Sequence, residues 1–280
     1  MTSKKIDAGI LGTGFYVPER VLTNFDLEKM VDTSDEWIVE RTGIRERRIA
    51  PEETPVSELA CRAAKKALSD AGVAAEDLDL IIFATLTADC VCPSAASVVQ
   101  NRLGAKHAAA FDLSAACSGF VYASTVAVQF ITAGAYRRVL VIGGETLSKY
   151  VDWQDRNTCV LFGDGAGAAV YGPVEPGYGM LSFDLGSDGS GADYLGIPAS
   201  GSRCMITEET IAKRLNRIHM DGPEVFKFAV RAMPATLQRS MERAGITAAD
   251  IDWLVPHQAN TRIIRSAAKR LAMPLEKVII

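Results

Sequence analysis

AGVAAEDLDLI, at residues 71–81, recurs as AGITAADIDWL at residues 244–254, an offset of 173 positions. An amphipathic helix pattern precedes each copy, and a strand, a turn and a second helix pattern follow it. After the second helix, Leu103-Gly104 matches Leu271-Ala272 at an offset of 168. The sequence therefore predicts an α/β protein made of two similar halves that pack as pseudo-symmetric partners.

The composition is that of a globular protein with a substantial core. The chain has 280 residues, 48% of them hydrophobic, and a net charge of -4 at pH 7. That charge gives no whole-chain signature of nucleic-acid binding, and we find neither an apolar run that could span a membrane nor a signal-peptide pattern. We therefore expect a cytoplasmic protein with no nucleic-acid partner and no membrane association.

The cysteines and histidines do not form a metal-binding pattern. Six cysteines are scattered without a CxxC pair, and none of the three histidines pairs with another at ligand spacing. The sequence thus predicts no metal site. It favours reduced thiols in a reducing compartment over a disulfide framework.

One cysteine lies at a chemically distinctive position. The run FDLSAACSGF, residues 111–120, passes from a short apolar strand at 108–113, which we expect to be buried, into a long helix pattern, with Cys117 at the transition. Unpaired N–H groups and the helix dipole at a first helical turn favour a thiolate, so the pattern predicts a nucleophile of lowered pKa. A buried cysteine that fills a tight corner has the same support from spacing alone.

A histidine follows a predicted strand in the second half. Residues 252–255 read as a strand, PHQAN at 256–260 as a turn and residues 261–272 as a helix. A structural histidine is the simpler interpretation of His257 alone, although ligands of α/β proteins gather at the carboxyl ends of strands. In two packed halves, equivalent strand ends could face one site, where Cys117 and His257 would be a nucleophile and its partner.

Residues 33–43 predict a short helix, with Thr33 and Glu36 as a capping box and Gly43 as its stop. Trp37 and Arg41 share one face of it, where an indole beside a guanidinium can hold a flat aromatic group such as adenine. A half-buried tryptophan beside a surface arginine is the interpretation that this stretch alone favours.

Several long motifs occur in a fixed order: VDTSDEWI at 31–38, RTGIR at 41–45, AACSGF at 115–120, FGDGAGA at 162–168 and WLVPHQAN at 253–260. They resemble the β-ketoacyl-acyl carrier protein synthase III family of bacterial fatty acid synthesis, over about residues 6–280. The resemblance implies the thiolase fold, an α/β architecture with duplicated halves in a five-layered αβαβα arrangement, usually as a homodimer. Residues 1–173 would form the half with the nucleophile, and residues 174–280 an incomplete second half.

The resemblance also implies a condensing acyltransferase without a cofactor. Cys117 would accept an acetyl or other short acyl group from acyl-CoA, and decarboxylative Claisen condensation with malonyl-acyl carrier protein would give a 3-oxoacyl-carrier protein. His257 would bind the thioester carbonyl and the enolate. The CoA thioester is thus a substrate, and its binding residues would be Thr33, Trp37, Arg41, Arg156, Gly222 and Asn260.

Two of these implied roles are more specific. Trp37 and Arg156, the latter in a polar loop at residues 155–157, would hold the adenine between them. The acyl carrier protein would contact Gln258, Ala259, Asn260, Thr261 and Arg262. Arg262 would act with Lys269 and Arg270 on the same helical stretch.

Two features depart from the family pattern. Cys92 precedes Pro93 where bacterial relatives often carry a phenylalanine that closes the acyl pocket. The sequence therefore does not determine how long an acyl group the enzyme accepts as its primer. The family's third catalytic residue, an asparagine in a Gly-Asn-Thr-Ser motif, and the glycine-rich loop of the oxyanion hole would both follow Ile280. By the repeat, Ile280 corresponds to Asp112 within a strand, and we expect about 50 further residues.

Two alternatives keep the fold and change the function. A synthase III-like acyltransferase of secondary metabolism would transfer other acyl groups. A non-catalytic partner subunit would perform no chemistry, but such subunits usually lose the nucleophile, and this chain has both Cys117 and His257.

Overall fold

The computed structural model describes residues 6–280, which form two compact units. The first unit comprises residues 6–20, Arg48–Leu147 and Gly163–Leu181. The second comprises Val21–Arg47, Ser148–Phe162 and Ser182–Ile280. Because both units take segments from several parts of the chain, the domain boundary after residue 173 stays a sequence prediction.

In chain order the strands and helices are β1 (Ala8–Tyr16), β2 (Val21–Thr23), α1 (Asn24–Leu27), α2 (Asp35–Thr42), β3 (Glu46–Arg48), α3 (Val56–Ala71), β4 (Leu80–Ala84), α4 (Ala95–Leu103), β5 (Ala109–Leu113), α5 (Gly119–Thr132), β6 (Val139–Thr146), α6 (Arg156–Cys159), β7 (Asp164–Pro173), β8 (Leu195–Gly196), α7 (Glu208–Ala212), β9 (His219–Met220), α8 (Gly222–Ala244) and α9 (Thr261–Arg270).

A five-stranded mixed sheet, in the order β1-β7-β6-β4-β5, forms the centre of the first unit. β4 is parallel to both β5 and β6, whereas β7 is antiparallel to β6 and β1. Every residue of β4 is buried, since helices cover both faces of the sheet. Ile81 and Phe83 pack with α3 and α4, while Leu80 and Ile82 pack with α5.

Two glycines let β1 lie close to α3. A Cβ atom at Gly12 would overlap the backbone of Ala71, and one at Gly14 would overlap the backbone of Ala63 and Ala67. Any larger residue at either position would push the helix away from the sheet.

The strand that leads to Cys117 is less buried than the sequence predicts. β5 is an edge strand, and its residues are intermediate or exposed, with Phe111 at 36% exposure. Its apolar composition does not reveal this, because an edge strand and a central strand can have the same pattern. The carboxylate of Asp112 anchors β5 by accepting bonds from the N–H groups of Ala95 (2.8 Å) and Ala96 (2.7 Å) at the start of α4.

The second unit repeats part of the first, as the sequence predicts. The helices α3 and α8 both end before a left-handed glycine, Gly72 (φ 62°) and Gly245 (φ 70°). The predicted strand at 252–255 is wrong, because only an isolated parallel bridge between Leu254 and Val278 forms there. That bridge has the register of the first unit, since the offsets of 173 and 168 relate it to the parallel pair Ile81 and Ala110.

Two classes of feature are missing from residues 6–280. No helix in this range is both long and apolar enough to cross a membrane. No group of three or more His, Cys, Asp or Glu side chains is arranged there to hold a metal ion. All six cysteines are free thiols.

Candidate active site

Cys117 lies in a three-residue 3₁₀ turn, Ala116–Ser118, between β5 and α5. Its predecessor Ala116 has a left-handed backbone (φ 47°), which costs a non-glycine residue about 1–2 kcal/mol. At Gly119 a Cβ atom would lie 3.0 Å from the Cβ of Ala84, so α5 begins close to the end of β4. The predicted transition from strand to helix is thus confirmed. Cys117 is an exposed residue by surface area, although protein atoms surround its sulfur closely enough to desolvate it.

The pKa of the Cys117 thiol is raised, whereas the sequence predicts that it is lowered. Desolvation by the surrounding protein is the main cause, and the negative charge of Glu145 adds to it. The regular helix starts only at Gly119, and the stabilisation that its N-terminus offers a thiolate does not outweigh desolvation.

Sequence reasoning missed Glu145, which ends the apolar part of β6. Its Oε1 accepts a hydrogen bond from the N–H of Leu86 (2.7 Å), and its Oε2 accepts bonds from Thr85 Oγ1 (3.2 Å) and Thr87 N–H (3.0 Å). The Thr87 hydroxyl also donates to Oε2. Burial raises the pKa of Glu145, while these donors oppose the rise. An acidic residue after Gly143-Gly144 at the end of a buried strand is the signal that could have identified it.

His257 belongs to the second unit, in the turn that follows Leu254. Gln258 fixes this turn, since its Nε2 donates to the carbonyl oxygens of Pro256 (3.1 Å) and Ile279 (3.0 Å). Desolvation lowers the pKa of His257, which keeps the imidazole neutral at neutral pH. Cys117 lies in the first unit and His257 in the second, so the pairing of these two residues stays a prediction.

α2 begins one residue later than the sequence predicts. Ser34 is the N-cap, and its hydroxyl accepts a bond from the N–H of Trp37 (3.1 Å). The predicted capping box of Thr33 and Glu36 is therefore wrong, because Ser34 is equally suited to this role and lies nearer the helix. The predicted stop at Gly43 is confirmed by its left-handed φ of 82°.

A cleft of about 600 Å³ lies in the second unit and includes Trp37 in its wall. The guanidinium carbon of Arg41 is 4.8 Å from the centre of the indole ring, and that of Arg156 is 5.3 Å away. Arg156 is the first residue of the short helix α6, where the sequence predicts a loop. It also donates to the carbonyl oxygen of Asp32 (2.8 Å). Trp37 and the two guanidinium groups thus form an aromatic and cationic surface that suits a flat, anionic ligand, although Asp193 and Asp221 also line the cleft.

The structure brings some of the predicted CoA-binding residues together. Trp37, Arg41 and Gly222 line the cleft, and Arg156 contacts Trp37. Thr33 and Asn260 are not among the lining residues, and Asn260 instead caps α9 by accepting a bond from Arg262 N–H (2.8 Å). Sequence reasoning missed the remaining lining residues, which are Thr42, Asn157, Val160, Leu161, Asp193, His219, Met220, Asp221 and Pro223.

α9 is amphipathic and its outer face is basic. Ile263, Ile264, Ala267 and Ala268 are buried. The exposed residues Arg262, Arg265, Lys269 and Arg270 form what we call the basic face. Arg265 was missed, although the helical period places it beside Arg262 and Lys269. The guanidinium of Arg262 lies over the ring of Phe226, 5.6 Å from its centre.

Comparison with known proteins matches both parts of the chain to one family. The model for 3-oxoacyl-[acyl-carrier-protein] synthase III matches residues 111–189, and the model for its C-terminal part matches residues 241–280. The β-ketoacyl-[acyl-carrier-protein] synthase III of Caldanaerobacter subterraneus subsp. tengcongensis is 60% identical over 99% of this chain and 84% of the relative. The chain belongs to the β-ketoacyl-[acyl-carrier-protein] synthase III family. It is a condensing acyltransferase that initiates fatty acid synthesis.

Solved structures agree with this assignment. The crystal structure of 3-oxoacyl-[acyl-carrier-protein] synthase III from Aquifex aeolicus VF5 has 49% identity and a TM-score of 0.88, covering 97% of this chain and 83% of that one. The priming β-ketosynthase of the R1128 polyketide pathway has 35% identity and a TM-score of 0.89, covering 100% and 83%. The chain therefore has the thiolase fold. The expectation that further residues follow Ile280 stays a prediction.

Proposed function

We propose that this synthase transfers a short acyl group from acyl-CoA to Cys117 and condenses it with malonyl-acyl carrier protein. The observation that carries the proposal is the exposed thiol of Cys117 in a strained turn between a strand and a helix. Strain and exposure at one nucleophilic side chain are features of reactive sites. His257 is its proposed partner in the reaction.

The proposed reaction has two stages. In the first, the Cys117 thiol loses its proton, its sulfur attacks the thioester carbonyl and CoA leaves as the thiol, which gives an acyl-enzyme. In the second, malonyl-carrier protein loses CO₂ to form an enolate, which attacks the acyl carbonyl and releases Cys117. The released Cys117 thiolate takes a proton from water, so this stage consumes one proton. A neutral His257 can donate a hydrogen bond from its ring N–H to the enolate oxygen, and this bond stabilises the negative charge that forms there.

The cleft of the second unit supports binding of the CoA nucleotide. A purine between Trp37 and Arg156 needs about 3.5 Å on each side, or about 7 Å in total. Because Arg156 lies 5.3 Å from the indole centre, it must move outward when the base enters. Gly222 helps here, since it has no side chain to occupy the cleft and a Cβ would meet only Met220 Cε at 3.7 Å.

The basic face of α9 supports docking of an acidic carrier protein. Arg262, Arg265, Lys269 and Arg270 present four cations on one exposed side of a ten-residue helix. Clustered charge of one sign steers and orients a partner of the opposite sign. We place Gln258, Ala259, Asn260 and Thr261 at the rim of this contact.

The edge strand β5 supports a homodimer. Its outer side lacks a neighbouring strand among the described residues, and Phe111 is partly exposed there. An open edge with an apolar residue favours pairing with another strand, so a second copy of the chain is the proposed neighbour. We place the enzyme in the cytoplasm, where fatty acid synthesis has its substrates.

A priming synthase of secondary metabolism is the second candidate. It is favoured by the similarity to the R1128 enzyme and by Cys92, an exposed small residue where relatives often carry phenylalanine. Assaying a series of acyl-CoAs from acetyl to longer and branched chains separates the two. Preference for acetyl-CoA supports the primary role, and preference for a longer primer supports the second candidate.

The proposal is tested by a condensation assay. Purified enzyme receives acetyl-CoA and malonyl-carrier protein, and mass spectrometry detects the 3-oxobutyryl-carrier protein. We expect product with the native enzyme and with Cys159→Ala, whose thiol is buried, and none with Cys117→Ala. Undiminished product from Cys117→Ala would overturn the proposed mechanism.

A further inference from the structure

Arg47 is a buried cation whose side chain donates three hydrogen bonds to two separate segments of the chain. It lies in β3 with 5% of its surface exposed. Its Nη1 donates to the carbonyl oxygen of Leu22 (3.1 Å), and its Nη2 donates to Asn24 Oδ1 (2.8 Å) and to the carbonyl oxygen of Val160 (3.1 Å). A buried guanidinium is costly, and apolar replacements of buried charges are often more stable. This points to a role other than stability.

Asn24 extends the connection from Arg47 to both ends of α2. Its side chain is fully buried, and its Nδ2 donates to Asp35 Oδ1 (2.9 Å) and to the carbonyl oxygen of Ile44 (2.8 Å). Asp35 is the first residue of α2, and Ile44 follows its C-cap, Gly43. One amide group therefore fixes the start and the end of the helix that carries Trp37 and Arg41.

Arg47 connects this group to a second element of the cleft, α6. Val160, whose carbonyl accepts from Arg47, is the C-cap of α6 and lines the cleft itself. The helix α6 begins with Arg156, the residue that contacts Trp37. The two elements that carry the stacking groups are thus joined through directional hydrogen bonds, which fix a spacing more strictly than apolar packing does.

We propose that Arg47, Asn24 and Asp35 form a positioning triad that fixes the spacing between α2 and α6, the helices that carry Trp37 and Arg156, for the nucleotide of CoA, while the side chain of Arg156 moves to admit the base. None of the three lines the cleft, so they act through the residues that do. The inference rests on the proposed binding of CoA in this cleft. The triad lies outside the cleft, and by this inference it controls the preference of the enzyme for acyl donors that carry the nucleotide.

The test compares two acyl donors for acetylation of the enzyme. Acetyl-CoA carries the nucleotide, and acetyl-pantetheine is the same thioester without it. The measured quantity is the ratio of kcat/KM for acetyl-CoA to kcat/KM for acetyl-pantetheine. We expect Asn24→Ala to lower this ratio about tenfold, mainly through KM for acetyl-CoA, because it removes hydrogen bonds that hold α2 and connect it to α6.

A second variant and a control keep the result decisive. Asp35→Ala changes a half-buried residue in the first turn of α2 and should lower the ratio in the same direction if Asn24→Ala fails to fold. Leu27→Ala removes a fully buried apolar side chain of α1 that takes part in none of the triad's hydrogen bonds. It should reduce both kcat/KM values equally, and a fall in the ratio as large as that of Asn24→Ala would overturn the positioning role.

Trp37→Ala separates failure of this inference from failure of the proposed CoA site. If the native enzyme uses both donors equally, or if Trp37→Ala leaves the ratio unchanged, the nucleotide does not bind in this cleft. If Trp37→Ala lowers the ratio while Asn24→Ala and Asp35→Ala leave it unchanged, the site stands and the positioning triad is wrong. A lowered ratio in all three variants supports the inference.

Discussion

The surroundings of Cys117, the proposed nucleophile, favour its neutral thiol over the thiolate. Desolvation and the charge of Glu145 both raise its pKa. A higher pKa makes the thiolate scarcer at neutral pH but intrinsically more nucleophilic. At neutral pH the proposed nucleophile is therefore mostly a thiol, which must lose its proton for the attack on the thioester.

Replacing Glu145 by Gln tests this description. Four donors converge on its two oxygens, which is the pattern of an ionised carboxylate, so the change removes a negative charge near Cys117. A thiolate is then less disfavoured, and the midpoint of the pH dependence of iodoacetamide labelling at Cys117 should move to lower pH. Glu175→Gln, at an exposed residue, should leave the midpoint where it is. A midpoint that rises in Glu145→Gln would contradict the assigned role.

Trp37 should contribute to CoA affinity and little to stability. Its side chain is half-buried and stacks only with guanidinium groups among the described residues. Trp37→Ala should weaken CoA binding by about 1–3 kcal/mol, the scale of base stacking on an aromatic ring, and calorimetry can measure this. The exposed Trp253→Ala is the matched control and should bind CoA normally. A lower Tm with unchanged affinity would instead make Trp37 a packing residue.

For single residues, the sequence identified the side chains that could bind or react better than it predicted their surroundings. Cys117, Trp37 and Arg41 stand out because of their residue types and spacing. The raised pKa of Cys117 could not be predicted, because Glu145 is 28 positions away in sequence and reaches its neighbourhood through the order of β4, β5 and β6 in the sheet. Nothing in the sequence distinguishes Arg47 from a surface arginine, and only the structure shows that it is buried.

Among the secondary-structure elements, α2 depends on one glycine for both its ending and its packing. Gly43 has φ 82°, and a Cβ there would overlap Thr261 Cγ2 at the start of α9. Gly43→Ala should therefore lose about 1–2 kcal/mol to backbone strain and about 1–3 kcal/mol to overpacking, measured by urea denaturation. Gly72→Ala, at φ 62° with open space around it, should lose only the first contribution. Equal losses in the two variants would show that the contact with Thr261 is unimportant.

The basic face of α9 should act in the second stage of the reaction only. Arg262→Glu reverses a charge that the carrier protein is proposed to meet, so condensation with malonyl-carrier protein should slow, and more so at low ionic strength. Acetylation of Cys117 by acetyl-CoA should stay the same in a separate labelling assay. Lys106→Glu, at an exposed residue of the first unit, controls for net charge. Equal losses in both stages would argue against docking at Arg262.

For the whole molecule, the repeat predicts a relation that the structure contains. The offsets of 173 and 168 transfer the parallel pair Ile81 and Ala110 onto the bridge between Leu254 and Val278. The same repeat does not predict that this pairing shrinks to one bridge, or that β5 lies at an edge. Those outcomes depend on which neighbouring strands are present, and a periodic pattern within one strand carries no such information.

The most direct measurement is to map the acyl group after the enzyme meets acetyl-CoA labelled in the acetyl carbons. Digestion and mass spectrometry of the trapped enzyme locate the adduct among the six cysteines. We expect one acetyl group on Cys117, which hydroxylamine removes under denaturing conditions as it does from a thioester, and no adduct on the exposed Cys90 or Cys92. Label on Cys92 or Cys159 with none on Cys117 would contradict the assignment of Cys117 as the nucleophile.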